Sequence, residues 1–359
     1  FGVGIIVLLV LLSFFGKKLA FVEWLESVPA AISSIALLLF VTLLMGFTMQ
    51  YDENAPELIR KLGLSHIVTS WPYLLANLFL LLSLGLVTIK NLKTFKWKKA
   101  GFIISHLGLW IVLFGANFGS TQLLRLQMEL IEGQISNKAI DISNNQSYEM
   151  PFAIKLNDFI LEEYKPKLVI VDNKTGTVLH GNGKNVFLVD SAATANLLNW
   201  EIHINEYIYS SVRAGNRYFF VNEIGAAPSV SVTAIDENGN KVQGWVSCGS
   251  FNRQYESLKL NEKNSLVMLF PEPKEYTSEI ELVLPSGETD LKTLQVNKPF
   301  KVGDWKLYQL SYDADLGRWS DTSVIELIYD PWIKIVYTGI FLMLIGSIYM
   351  FWVGTKKQS

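Results

Sequence analysis

The chain has 359 residues, of which 50% are hydrophobic and only 18% charged, with a formal net charge of −2. Soluble domains carry about 25% charged residues, so the deficit points to lipid, and the near-neutral balance argues against a general nucleic-acid binder. The single cysteine, Cys248, excludes an internal disulfide, a CxxC pair and a covalent haem-attachment CxxCH.

The first segment, "FGVGIIVLLVLLSFFGKK", has neither the basic start nor the small-residue cleavage site of a signal peptide. It opens on Phe1, and the chain closes soon after its last apolar run. The sequence therefore reads as a piece of a longer protein, with residues 2–15 as a partial membrane helix. Four further stretches, about 31–49, 70–89, 100–119 and 332–353, reach the roughly 20 apolar residues that a span needs. Between the last two lies a block of different character, about 120–331. Turn signals such as "DNKTG", "HGNGKN" and "DENGN" separate short alternating or β-branched segments, among them "KLVIVD", "EIHINEYIY", "SVSVTAI" and "SEIELVL". That pattern predicts an all-β antiparallel domain, a sandwich or an open barrel. In "DWKLYQLSY" the alternation places Tyr308 on a buried strand, and Trp305, Tyr312 and Trp319 are expected in the core rather than on the surface. The fold class is thus a membrane α+β protein: four to five transmembrane helices with one large β domain inserted before the last. The boundaries are 1–119, 120–331 and 332–353.

Lysine placement orients the chain. "KNLKTFKWKK" (90–99) carries Lys90, Lys93, Lys96, Lys98 and Lys99; Lys17 and Lys18 follow the first run, and "GTKKQS" follows the last. With alternating spans all three sit on one side, which the positive-inside rule makes cytoplasmic. The β domain is then expected outside, on the extracytoplasmic face of the inner membrane.

His106 lies about six residues into its span, roughly 9 Å from the helix end. A polar side chain at that depth needs a partner. Ser105, Gly108, Val112, Gly115 and Gly119 fall near one helical face, suited to close approach of another helix. His106 either hydrogen-bonds a neighbouring helix or ligates a metal or haem iron, which neutral imidazole suits. His66, beside "SWPY" at the outer end of its span, reads as an interfacial anchor, and His180 and His203 as solvated or packed residues of the β domain. No nucleophile elbow, HExxH or phosphate loop occurs, so no independent catalytic site is indicated.

Three motifs then carry a resemblance: "HLGLWIVLFGANFG" (106–119), "VNKPFKVGDWKLYQLSYD" (296–313) and "YDPWIKIVYTGIFLMLIG" (329–346). In this order, with three spans, a β domain and one span, the chain resembles the ResB/CcsB family of cytochrome c biogenesis proteins over about residues 30–355. It departs from the family at "SWPY", where two aromatics often follow the serine directly, and in the additional apolar segment 1–15. That segment resembles the fused form, in which this half continues into a CcsA-like half. The resemblance implies a System II role: haem export across the membrane and its presentation for thioether attachment to the CxxCH of apocytochrome c. The haem b would be carried non-covalently. It makes His106 an axial ligand of the haem iron, with a CcsA-like partner supplying the other, and the chain a component of a cytochrome c synthase. A membrane-anchored scaffold or chaperone that never touches haem is the competing function. A receptor-like sensor is a weaker third reading, since no cytoplasmic output domain is seen.

Overall fold

The computed structural model describes residues 2–16, 19–50, 56–181, 185–189 and 194–355. Lys17, Lys18, Lys356 and Lys357 of the orientation argument, and the centre of the "HGNGKN" turn, lie outside the described residues. The chain divides into two compact units, one of residues 1–123 with 329–359 and the other of residues 124–328.

The first unit is helical. Its elements are α1 (Gly2–Phe15), α2 (Ala20–Leu25), α3 (Val28–Phe47), α4 (Glu57–Lys61), α5 (Trp71–Lys93), α6 (Ala100–Gly119) and α7 (Ile333–Thr355). Among the described residues, α3, α5, α6 with the turn before it, and α7 are long and apolar enough to cross a membrane; α1 is shorter. The starts are written in the sequence. Ser27 caps α3 through the Ala30 amide, with a proline in its first turn, and Pro72 occupies the first turn of α5. The "DP" of the third motif does the same for α7: Asp330 Oδ1 accepts from the Trp332 and Ile333 amides, each at 3.0 Å. The buried side chains Ile5, Leu9, Val22, Leu25 and Leu86 form one cluster joining α1, α2 and α5. Ser83 Oγ, buried on α5, donates to the Leu25 carbonyl at 2.8 Å, so α2 is tied to the middle of α5.

The second unit is all β. Its strands are β1 (Leu124–Ile131), β2 (Ile135–Asp141), β3 (Gln146–Glu163), β4 (Lys167–Asp172), β5 (Phe187–Leu188), β6 (Thr194–Leu197), β7 (Trp200–Ala214), β8 (Arg217–Phe220) and β9 (Ala227–Asp236). There follow β10 (Lys241–Ser247), β11 (Leu258–Lys259), β12 (Asn264–Met268), β13 (Pro273–Val283), β14 (Thr289–Gln295), β15 (Phe300–Val302), β16 (Trp305–Tyr312) and β17 (Thr322–Tyr329). The sequence offers a sandwich or an open barrel as alternatives; the structure has one of each. Eight strands form a sheet in the order β14-β13-β3-β2-β1-β17-β16-β15. A single buried cluster draws on every strand of it, from Leu126, Ala139 and Ile154 to Leu282, Leu294, Val302, Leu307 and Ile325. One sheet can face itself in this way only by curling, and the bulges in β3 and β13 supply the bend. The remaining strands form two smaller sheets, β10-β9-β7-β6 with β8 on β7, and β11-β12-β4-β5. These enclose a second core, including Ile170, Ile202, Val232, Val246 and Leu266, as a face-to-face sandwich does. The whole sandwich is inserted between β3 and β13, and its two ends are closed by the Tyr164 amide donating to the Glu272 carbonyl at 2.9 Å.

The second motif consists of hairpin chemistry. Asn297 (φ 62°) and Gly303 (φ 58°) take the left-handed turn positions on either side of β15. One expectation fails here. Tyr308 is only half-buried; Leu307 and Gln309 are the residues of β16 that face the core. Alternation identifies two faces without saying which is inside. Gln309 can be inside because Ser278 Oγ donates to its Oε1 at 2.7 Å while its Nε2 donates to Ser323 Oγ at 2.9 Å. Trp305 and Tyr312 pack partly buried against the same core, and Trp319 is also half-buried.

Candidate functional site

The site is built on α6, whose residues fall into two stripes. The first is small. Gly101, Gly108 and Gly115 recur at spacing seven, and α7 answers with Gly339 and Gly346 at the same spacing. A methyl group added at Gly108 would lie 2.6 Å from both the Gly339 carbonyl oxygen and the Met343 amide nitrogen; one at Gly339 would lie 2.7 Å from the Gly108 carbonyl. At Gly101 it would meet the Gly346 carbonyl at 2.8 Å, and at Gly119 the Trp332 Cβ at 2.7 Å. The two backbones touch, so no side chain fits between them. This is the small-residue packing that lets spans associate without a hydrophobic driving force. Ser105 and Val112 lie in the same seam, against Gly346 and Gly339.

The second stripe is aromatic and recurs at spacing four: Phe102, His106, Trp110, Phe114 and Phe118. Side chains four apart lie one above the other on a helix. The His106 ring stacks on Phe102 with centroids 3.7 Å apart, Trp110 stacks on Phe114 at 4.8 Å, and Phe114 meets Phe118 at 4.6 Å. Trp110 is anchored across to α5, its Nε1 donating to the Leu81 carbonyl at 3.1 Å. Gly85 leaves room for that reach, since a methyl there would lie 3.0 Å from the indole nitrogen. Further along, Asn117 Nδ2 donates to Asn77 Oδ1 on α5 at 3.3 Å.

His106 is half-buried, and its Nδ1 lies 2.9 Å from the Phe102 carbonyl oxygen. A carbonyl only accepts, so Nδ1 carries the proton. Neutral imidazole then presents an unprotonated Nε2, whose lone pair makes no hydrogen bond among the described residues. Orientation by one ring nitrogen with the other left open is the usual arrangement of a metal-ligating histidine. The donor set here is therefore one imidazole nitrogen on a ring stacked against Phe102. That fits one axial position of a haem and does not fit a multi-ligand metal site. No cluster of three or more His, Cys, Asp or Glu residues suited to a metal occurs among the described residues.

The other histidines differ. His66 is exposed in the turn before α5, with its Nδ1 3.1 Å from Ser65 Oγ. His180 Nδ1 donates to the Val178 carbonyl, and His203 lies between Thr194 Oγ1 at 2.9 Å and Glu201 at 3.3 Å. Cys248 is buried in the sandwich core, which pushes its thiol up to about 12, so it stays protonated and a poor nucleophile at neutral pH. The glycine partners on α7 and the four-residue aromatic spacing are absent from the sequence reading, though both were visible as spacings.

A model of the ResB-like family matches residues 93–183 and 216–322, more than half of the chain. The chain belongs to the ResB-like family. The first matched block contains all of α6, and with it both stripes of this ResB-like protein. Membership supports a role in cytochrome c biogenesis. No curated protein matches the chain. Among solved structures, a chain described as "Cytochrome c Heme Lyase CcmF" aligns at 11% identity and a TM-score of 0.27, covering 96% of this chain and 43% of that one. The ResB-like chain thus spans less than half of that structure's length.

Proposed function

We propose that this ResB-like chain takes part in haem export for cytochrome c maturation, with His106 as an axial ligand of the haem iron. In this reading it works with a CcsA-like partner, either separate or continuous with it, that supplies the second ligand. Haem b is the cargo, presented on the outer face for thioether attachment to the CxxCH of apocytochrome c. The β unit is extracytoplasmic, and Lys90–Lys99 lie at the cytoplasmic face of the inner membrane. What carries the reading is the geometry of His106 inside a span: Nδ1 held by the Phe102 carbonyl and Nε2 left with its lone pair free.

The chain's own residues contribute binding and orientation. The Phe102 carbonyl sets the tautomer of His106, the Phe102 ring stacks on the imidazole, and the bond from Trp110 to α5 holds the next turn of the helix. Bound haem iron would supply Lewis acidity toward a lone pair such as that of His106 Nε2.

His106→Ala in the complete complex tests this. Alanine is the best helix former and removes a polar group from lipid, so protein level should stay near normal while co-purifying haem and cytochrome c maturation fall. Free imidazole should partly restore both by occupying the vacated axial position. The scaffold function requires the opposite: haem and maturation unchanged, or lost only together with the protein. Cysteine labelling at positions 93 and 238 checks orientation; labelling of position 93 from outside would overturn it.

A further inference from the structure

A cleft of about 480 Å³ lies within the β unit, where the inserted sandwich meets the curled sheet. One wall is the end of β3 with Glu163, another the end of β16 with Tyr312 and the loop after it with Asp315, Arg318 and Trp319, and the rim carries Phe251 and Phe270. Arg318 pins the two lobes together. Its Nη1 donates to the Tyr209 carbonyl at 3.0 Å and its Nη2 to the Ala226 carbonyl at 2.8 Å, and Trp319 Nε1 also donates to Ala226 at 3.1 Å. Its guanidinium rests over the Trp319 ring at 5.0 Å. Arg318 is thereby directed at backbone oxygens and forms no ion pair with Glu163 among the described residues. Glu163 is left half-buried, with its carboxylate making neither a hydrogen bond nor a salt bridge there. Burial raises its pKa from the ordinary carboxylate value, and the Arg318 charge opposes that rise only in part.

A half-buried carboxylate without a hydrogen bond or salt bridge is either protonated or met by a cation, and a cationic guest keeps it charged. The walls agree with a cation as guest. Pro228, Pro271 and Pro273 line the cleft without offering an N–H donor. The lining holds two acidic side chains, Glu163 and Asp315, against the single cation Arg318. Tyr312 also lines the cleft, its ring packed against Phe159 and Tyr276 at centroid distances of 5.4 and 5.1 Å; burial raises its phenol, and the Glu163 charge adds to the rise. Phe270, 67% exposed, and Phe251, 46% exposed, extend an apolar rim beyond the cleft. That rim is more than an isolated ammonium needs, and it suits the neighbouring residues of a chain.

We propose that this cleft binds a lysine or arginine side chain of an extended extracytoplasmic polypeptide, with Glu163 as counter-charge, Tyr312 as the aromatic wall and Phe251 and Phe270 holding the flanking residues. The site shares no residue with the His106 site, and only the extracytoplasmic location of its guest rests on the orientation proposed above. The test uses the full chain in nanodiscs and fluorescein-labelled dodecapeptides of alternating valine and serine carrying two central lysines, two arginines or two glutamates, followed by anisotropy. Lysine and arginine peptides should bind and the glutamate peptide should not. Glu163→Gln should weaken binding by about tenfold and Glu163→Asp by less. Phe270→Ala, at an exposed position without a folding role, should weaken it several-fold, which keeps the test open if Glu163→Gln misfolds. His106→Ala should bind as the unaltered chain does. No binding by the unaltered chain, equal binding of the glutamate peptide, or equal affinity of a folded Glu163→Gln would overturn the proposal. Displacement by arginine methyl ester at the same concentration as by the peptide would overturn its polypeptide part.

Discussion

The two stripes of α6 solve different problems with the same helix. At spacing seven, glycines bring the backbone of α7 within contact distance, and nothing chemical remains exposed there. At spacing four, rings are stacked in a column in which one member, His106, is a base with a free nitrogen. The 3.5-residue seam follows a straight line along the partner helix, whereas a four-residue column drifts about 40° per step around the helix. The column therefore begins at Phe102 beside the seam and ends among the side chains of α1 and α5, where Trp110 and Phe118 pack. The lesson is a division of labour: the seam positions the helix, and the column positions the imidazole.

Breaking the seam should have the largest effect. Gly108→Leu drives a side chain into two backbone atoms that cannot rotate away. We expect little or no protein to accumulate, with haem and protein lost together on immunoblot and absorbance. Trp110→Phe sharpens the comparison from the other side. It keeps the ring of the column and removes only the donor to Leu81, a bond worth about 1 kcal/mol. Melting should fall by a few degrees with haem retained. Smallest of all, His66→Ala at the exposed turn should leave both protein and haem near normal; loss of haem there, with His106→Ala silent, would mean that the wrong histidine carries the site.

Much of this was legible in the sequence, for physical reasons that also explain the gaps. Twenty-residue apolar runs announce spans because lipid leaves backbone groups no other partner. The small face of α6 could be read from one segment, but its partner glycines on α7 lie more than 200 residues away, and only the fold joins them. The aromatic column needed no fold, only attention to spacing four instead of small residues. Two cores in the β unit were beyond reach, because β3 and β13 are neighbours separated by the whole sandwich. Tyr308 was misplaced for a related reason: the serines that make Gln309 welcome inside come from β13 and β17. Glu163 stands beside Glu162 in sequence, and only the fold places the former in a cleft.

Ligation by His106 is tested most directly by changing the ligand rather than removing it. Near-infrared magnetic circular dichroism should be recorded on the complete, haem-loaded complex with His106 and with His106→Met. Exchange of imidazole nitrogen for thioether sulfur must move the ligand-to-iron charge-transfer band if this residue binds the iron, while protein amount stays the same. A shifted band is the expected result; an identical band at equal haem content would contradict the assignment.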